Sequence, residues 1–275
     1  MAFTADELHA AIRLVGCDHD PLCQGYRWHI DDEAALAQMV AWTLQGHSRH
    51  AENVLNALGS TELQSWPTVE QQALNRLTLP DGTGNEAPRW HRDGLVFQHI
   101  AWLAAIIGKG NNVAASIPHL LPAHKGFDAI LVPLNNNLEA TGGIIVCEEK
   151  ATTNPRTQIT NDVWPSILSV DAGERDAELN GELTAILQRY NVSNIEQVLT
   201  EAHWLNRKAY RVSITIAPAH DTAVARRALF VGYDTTAPGD LERRHAETLM
   251  IPQLRTWMDQ FCNRVVAAIQ EAANV

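Results

Sequence analysis

The sequence predicts an α/β fold in which a small central mixed sheet is flanked by helices. Three observations carry that expectation. Apolar, β-branched runs at 127–133, 144–150 and 210–216 read as strands, and between them apolar residues recur every three or four positions, as on one face of a helix. Clusters rich in proline, glycine and asparagine punctuate the joins, Pro80-Asp-Gly-Thr-Gly84 among them. Hydrophobic residues make up 45% and charged residues 19% of the 275, as in a globular chain, which excludes bulk disorder. No linker and no internal repeat divides the sequence, so a single domain over 1–275 is expected. It comprises a mostly helical part over 1–88, a core over 89–170, and C-terminal strands with a long helix over 171–275.

Taken in order, Asp31-Asp32-Glu33 is an acidic start that suits a helix N-terminus, and Leu36, Met39, Val40 and Leu44 follow at helical spacing. Further helices are expected over 49–58, ending at Gly59, and over 69–77. A very apolar helix over 95–107 stops at Gly108-Lys-Gly-Asn-Asn112. The strand at 127–133 turns back through 134–143 into the strand at 144–150. Asn154-Pro155 places an N-cap before a proline at the first helical position, and that helix reaches about 169 unless Pro165 shortens it. Helices over 172–189 and 195–202, strands over 210–216 and 228–233, and a long helix over 241–273 complete the expectation.

Composition narrows the function. The longest apolar run, Ile100-Ala-Trp-Leu-Ala-Ala-Ile-Ile107, is far short of the ~20 residues that span a bilayer, so no membrane association is expected. The opening Met-Ala-Phe-Thr-Ala-Asp-Glu has neither a basic patch nor an apolar stretch, so no secretory signal is expected. Cys17, Cys23, Cys147 and Cys262 are too irregularly spaced for a disulfide framework, which points to a reduced, cytoplasmic protein. A net charge of −11 argues against a general nucleic-acid coat. The segment 89–160 is the least acidic, with Arg89, Arg92, Lys109, Lys125, Lys150 and Arg156 against Asp93, Asp128, Glu139, Glu148 and Glu149.

That segment holds the best chemical motif. Asp128 sits early on one expected strand, and Glu148 and Lys150 end the next. Strand alternation projects Glu148 and Lys150 together and turns Glu149 away. If the strands pair, Asp128 comes beside Glu148, and two close carboxylates call for a divalent cation. Hard oxygen ligands suit Mg²⁺, or Mn²⁺, with the main-chain carbonyl of Glu149 as a further donor. Lys150 would then orient or deprotonate a metal-bound water, or stabilise charge on a phosphate oxygen. These parts fit hydrolysis of a phosphodiester.

The Asp…Glu-x-Lys arrangement with a helix on either side resembles the PD-(D/E)xK nuclease superfamily, although Phe127 stands where the family has proline. Three segments are similar to the nuclease subunit of Hachiman-type bacterial anti-phage defence systems: Lys125-Gly-Phe-Asp-Ala129, Cys147-Glu-Glu-Lys-Ala-Thr152 and Leu229-Phe-Val-Gly-Tyr233. The resemblance implies a Mg²⁺-dependent DNase of antiviral defence, a single nuclease-like domain with its catalytic core at 89–170. A partner superfamily 2 DNA helicase would hold it in check. It makes Asp128 and Glu148 metal ligands and Lys150 the catalytic lysine. Many superfamily members add a glutamate from the preceding helix; here that helix offers Gln98 as an accessory water or metal contact, with Glu86 and Asp93 upstream. It also suggests Arg156 and Gln158, which open the following helix, as DNA contacts.

Other classes stay open at this point. The same residues fit a catalytically inactive module that binds and regulates a helicase, or a stand-alone restriction or repair nuclease. Cys17, His19, Cys23 and His29 match no standard zinc spacing. The eight tryptophans are dispersed along the chain, which suits core and partner-interface roles better than stacking on single-stranded bases. No phosphate-binding loop is present, so a separate ATPase would have to power translocation.

Overall fold

The computed structural model describes residues 10–17, 19–46, 67–79, 86–109, 112–122, 126–141, 143–204 and 207–272. Two short strands come first, β1 (Ile12–Gly16) and β2 (Tyr26–Ile30), paired antiparallel. Neither strand is expected from the sequence in the part read as mostly helical. Each alternates over only five residues, with Arg13, Arg27 and His29 interrupting the apolar positions, a pattern too short to stand out. Helix α1 (Glu33–Leu44) starts where the acidic signal placed it. Asp32 Oδ1 caps it, accepting from the Ala34 and Ala35 N–H groups at 2.9 and 3.0 Å. Helices α2 (Pro67–Leu77) and α3 (Ala87–Lys109) follow. The helix expected over 49–58 lies outside the described residues, as does the turn at 80–84.

Strands β3 (Val113–Ala115), β4 (Ala129–Pro133) and β5 (Ile144–Lys150) form an antiparallel meander. Gly143 opens β5 at φ +91°, and a Cβ there would lie 2.3 Å from the Arg207 carbonyl oxygen, so only glycine fits. One helical path then runs from α4 (Pro155–Gln158) through a π-helical turn (Ile159–Val163) into α5 (Trp164–Asp171). Pro165 has no N–H for the Asn161 carbonyl, and its ring crowds that oxygen. The wider turn just before it absorbs the mismatch, and the helix continues past the proline.

Helices α6 (Asp176–Arg189) and α7 (Ile195–Trp204) lead to β6 (Lys208–Ile216). Two expectations then fail. Segment 228–233 is not a strand: α8 (Ala223–Leu229) ends in it, Gly232 turns the chain at φ +94°, and α9 (Tyr233–Thr236) begins. Leu229, Phe230 and Tyr233 are buried from a helix end and a turn, so their apolar run does not mark a strand. Nor does one helix cover 241–273. Strand β7 (Arg244–Met250) precedes α10 (Leu254–Ala272), and Pro252 between them cannot continue a helix.

The seven strands form one mixed sheet in the order β1-β2-β7-β6-β5-β4-β3, larger than the few strands expected. Four central strands, β2, β7, β6 and β5, run parallel, with antiparallel pairs at both edges. Ile145 and Cys147 of β5 face a core built with Phe97, Ile100 and Phe261 of α3 and α10. Ile144 and Val146 face the opposite core, with Trp164, Ile167 and Leu183 of α5 and α6. This alternation decides where the end of β5 delivers its three charged side chains. No helix among the described residues is long and apolar enough to cross a membrane.

Candidate active site

The β4–β5 register pairs Ala129 with Cys147, and one step further brings Asp128 opposite Glu148. Lys150 Nζ lies 2.7 Å from Asp128 Oδ2 and 2.9 Å from Glu148 Oε2, joining the two carboxylates. Asp128 takes two more donors: the Glu149 N–H at 2.7 Å on Oδ2 and Gln98 Nε2 at 2.6 Å on Oδ1. Glu148 Oε1 accepts from the Ser166 hydroxyl of α5. The three charged side chains are 12%, 9% and 23% exposed for Asp128, Glu148 and Lys150, so water screens them only in part. Burial alone would lower the Lys150 amine, but Asp128 and Glu148 hold it above its ordinary value, so it stands as an ammonium. Arg175, whose guanidinium rests 3.9 Å over the Phe127 ring, adds positive potential that Glu148 and Asp128 feel.

Glu149 turns the other way, as strand alternation requires. Its carboxyl is fully buried, 3.4 Å from Arg211, which also binds Glu247 at 2.7 Å and the Ala101 carbonyl of α3 at 3.2 Å. Trp28 Nε1 donates to the same Glu247 at 2.8 Å. Burial pushes the Glu149 carboxyl well above the usual carboxylate range, against the pull of Arg211. The end of β5 is therefore held on one face by this buried network, while Glu148 and Lys150 project from the other.

Above Asp128 and Lys150 opens a cleft of ≈ 680 Å³, walled by Trp90, Gly94 and Gln98 of α3 and by Asn154 and Gln158 across from them. For a divalent cation the donor set is chemically apt: two carboxylates and the Gln98 amide oxygen are hard ligands. In a strand a residue's N–H and C=O point the same way, so Glu149, with its N–H on Asp128, turns its carbonyl to this edge as well. Among the described residues no cluster of three or more histidine, cysteine, aspartate or glutamate side chains could hold a metal, so a cation here would draw on backbone and amide oxygens.

The structure thus brings Asp128, Glu148, Lys150 and Gln98 together. Gln158 lines the cleft, although its amide donates to Asp162. Arg156 is committed elsewhere, donating to the Leu229 and Val231 carbonyls at 2.7 and 2.8 Å. Asp93 is fully buried between Arg92 and Arg255, while Glu86 stands exposed at the cleft rim. Cys17 Sγ lies 3.6 Å from His19 Nε2, and none of the four cysteines is in a disulfide. The sequence did not single out Ser166, Arg175 or Arg211. Ser166 interrupts the apolar face of α5 and Arg211 interrupts the apolar run of β6, and such polar intruders were the available signal. No family model, curated protein or solved structure matches the chain.

Proposed function

We propose that the chain is a divalent-metal-dependent deoxyribonuclease of PD-(D/E)xK type. One observation carries this: Lys150 Nζ lies within 2.9 Å of both Asp128 and Glu148 on two paired strands, and Asp128 and Lys150 line an open cleft. Asp128, Glu148 and the Glu149 carbonyl would hold Mg²⁺ or Mn²⁺, which when bound supplies Lewis acidity and lowers the pKa of a coordinated water. Gln98 and Ser166 orient the two carboxylates. Lys150 donates to a phosphate oxygen and stabilises the charge that builds there, a better match to its firmly held proton than service as a base.

The resemblance at 125–129 and 147–152 extends the proposal to a subunit of a Hachiman-type anti-phage complex, controlled by a partner superfamily 2 helicase in the cytoplasm. The third segment of that resemblance, 229–233, no longer supports it as a strand. A second reading is an inactive module that regulates a helicase. It is favoured by Gln98 standing where many superfamily members carry glutamate, and by Lys150 already neutralising both carboxylates.

The test is incubation of the purified protein with plasmid DNA and Mg²⁺ or Mn²⁺, with and without EDTA. Asp128→Asn and Lys150→Ala should each lower cleavage by roughly 10²–10³-fold, as loss of one charge-stabilising group does, without lowering Tm by more than a few degrees. Undiminished Mg²⁺-dependent cleavage by a Glu148→Ala/Lys150→Ala double variant would sink the hydrolase reading.

A further inference from the structure

Helix α3 presents Trp90, Gly94 and Gln98 four residues apart, which puts them on one stripe of its surface. All three line the cleft. At the inner end Gln98 holds Asp128. In the middle Gly94 leaves a gap: a Cβ built there would meet nothing within 4 Å. At the outer end the Trp90 indole is 56% exposed. Trp28, Trp42, Trp102 and Trp164 are all buried and Trp257 is half-buried, whereas Trp90 faces solvent. An aromatic ring exposed at the mouth of a charged cleft offers an open face on which another flat ring can stack.

Resting on the nuclease reading of this cleft, we propose that it takes a single DNA strand, with an unpaired base stacked on Trp90 and the backbone led over Gly94 to Lys150. Eight residues of helix separate Trp90 from Gln98, about 12 Å at 1.5 Å per residue. That distance spans about two to four nucleotides of one strand, starting from a stacked rise of about 3.4 Å and stretching when the strand is extended. Every base has a face that an indole can cover, so the platform selects for unpaired bases without selecting a sequence. In duplex DNA those faces are already covered, except at an end. The preferred substrate is therefore a single strand, a frayed end or an overhang.

Fluorescence anisotropy in EDTA reads this directly, with a 5′-fluorescein oligodeoxythymidine and a blunt duplex of equal length as probes, because cleavage is then blocked. The oligodeoxythymidine should bind at least ten-fold more tightly than the duplex. Trp90→Ala should weaken it ten-fold or more, in keeping with the cost of losing one stacked base, while Trp90→Phe stays within a few-fold. Gly94→Leu, which fills open space, should also weaken single-strand binding at an unchanged Tm. Equal binding by wild type and Trp90→Ala, or no binding of the oligodeoxythymidine, overturns the strand path. So does a Trp90→Ala defect confined to capture of a protein partner, which would make Trp90 a protein interface. Plasmid cleavage in Mg²⁺ is scored separately. Trp90-dependent strand binding by a protein that never cuts supports the path and refutes the hydrolase. Cleavage of single strands with no loss in Trp90→Ala refutes the path and keeps the hydrolase.

Discussion

Lys150 answers to two carboxylates at once, and Asp128 answers to three donors, so each residue of the site is set by its neighbours. Gln98 is the informative one. Its amide can give a proton to Asp128; a glutamate there could not. Gln98→Glu should therefore cost about 1–3 kcal/mol in EDTA, through the lost hydrogen bond and the new carboxylate repulsion. At about 2–4 °C per kcal/mol that is several degrees of Tm. Adding Mg²⁺ should raise the Tm of the variant more than that of the wild type, because the extra carboxylate becomes a ligand and binding to the folded state alone stabilises it. Equal Mg²⁺ shifts in calorimetry would argue that no cation sits between these side chains. His99, the next residue, gives a pH-dependent prediction. It is fully buried, with Nδ1 2.7 Å from the Thr43 hydroxyl and Nε2 3.0 Å from the His119 carbonyl. Burial lowers its pKa from 6.5 to about 3, so folding favours the neutral ring. The stabilisation is complete above about pH 6.5 and is lost as pH falls from there towards 3, at about 1.4 kcal/mol per unit inside that window. His99→Gln can keep both hydrogen bonds without titrating. Its urea stability, measured from pH 7 to pH 4.5, should fall less steeply than that of the wild type.

At the scale of elements, β5 is held from beneath. Arg211 of β6 lies between Glu149 of β5 and Glu247 of β7, and it is 4% exposed. Removing one member of such a network leaves buried charges without a partner, so Arg211→Met should cost about 3–5 kcal/mol. Glu149→Leu/Arg211→Met/Glu247→Gln should recover much of that loss, since it removes the charges together and leaves Trp28 an oxygen to bond. Denaturant midpoints that rank the triple variant below the single one would show that the network itself stabilises the sheet. The legibility of these elements followed how much of each strand is buried. β5 is apolar from Ile144 to Cys147 and buried throughout, so its span read correctly from sequence, and with it the alternation that separates Glu148 and Lys150 from Glu149. The start of β7, Arg244-His-Ala-Glu247, carries three charged or ionisable side chains that only its neighbours satisfy, so it passed for helix. The run at 228–233 failed in the opposite sense: it is apolar because a helix end and a turn are buried, and local composition does not distinguish that from a strand. Within the site, Asp128, Glu148 and Lys150 were legible because two strand periods suffice to align them. Ser166 and Trp90 were not, because their roles depend on which helix packs over the strand ends.

Across the whole molecule, the first two strands and the last one lie in the same sheet. β2 lies between β1 and β7, so a strand that starts at Tyr26 is completed by one that ends at Met250. Gly25 permits that approach, since a Cβ there would lie 1.9 Å from the Ala246 carbonyl oxygen. Leu36 and Met39 of α1 share a core with Phe261 and Val265 of α10, and the same core reaches Ile145 and Cys147 of the strand that carries the site. Removing β1 and β2, or α10, would therefore take away contacts of the core beneath β5, and the described elements are expected to unfold together. Urea unfolding followed by tryptophan fluorescence should superimpose on unfolding followed by far-UV circular dichroism, because Trp28, Trp102 and Trp164 are distributed over both faces of the sheet. Gly25→Val should shift both curves together to lower denaturant by several kcal/mol, since the clash is with backbone that cannot move aside. Two separated transitions, or loss of the β1–β2 signal alone in Gly25→Val with the remainder unfolding at the wild-type midpoint, would show instead that the N-terminal strands are an appendage and that the site stands without them.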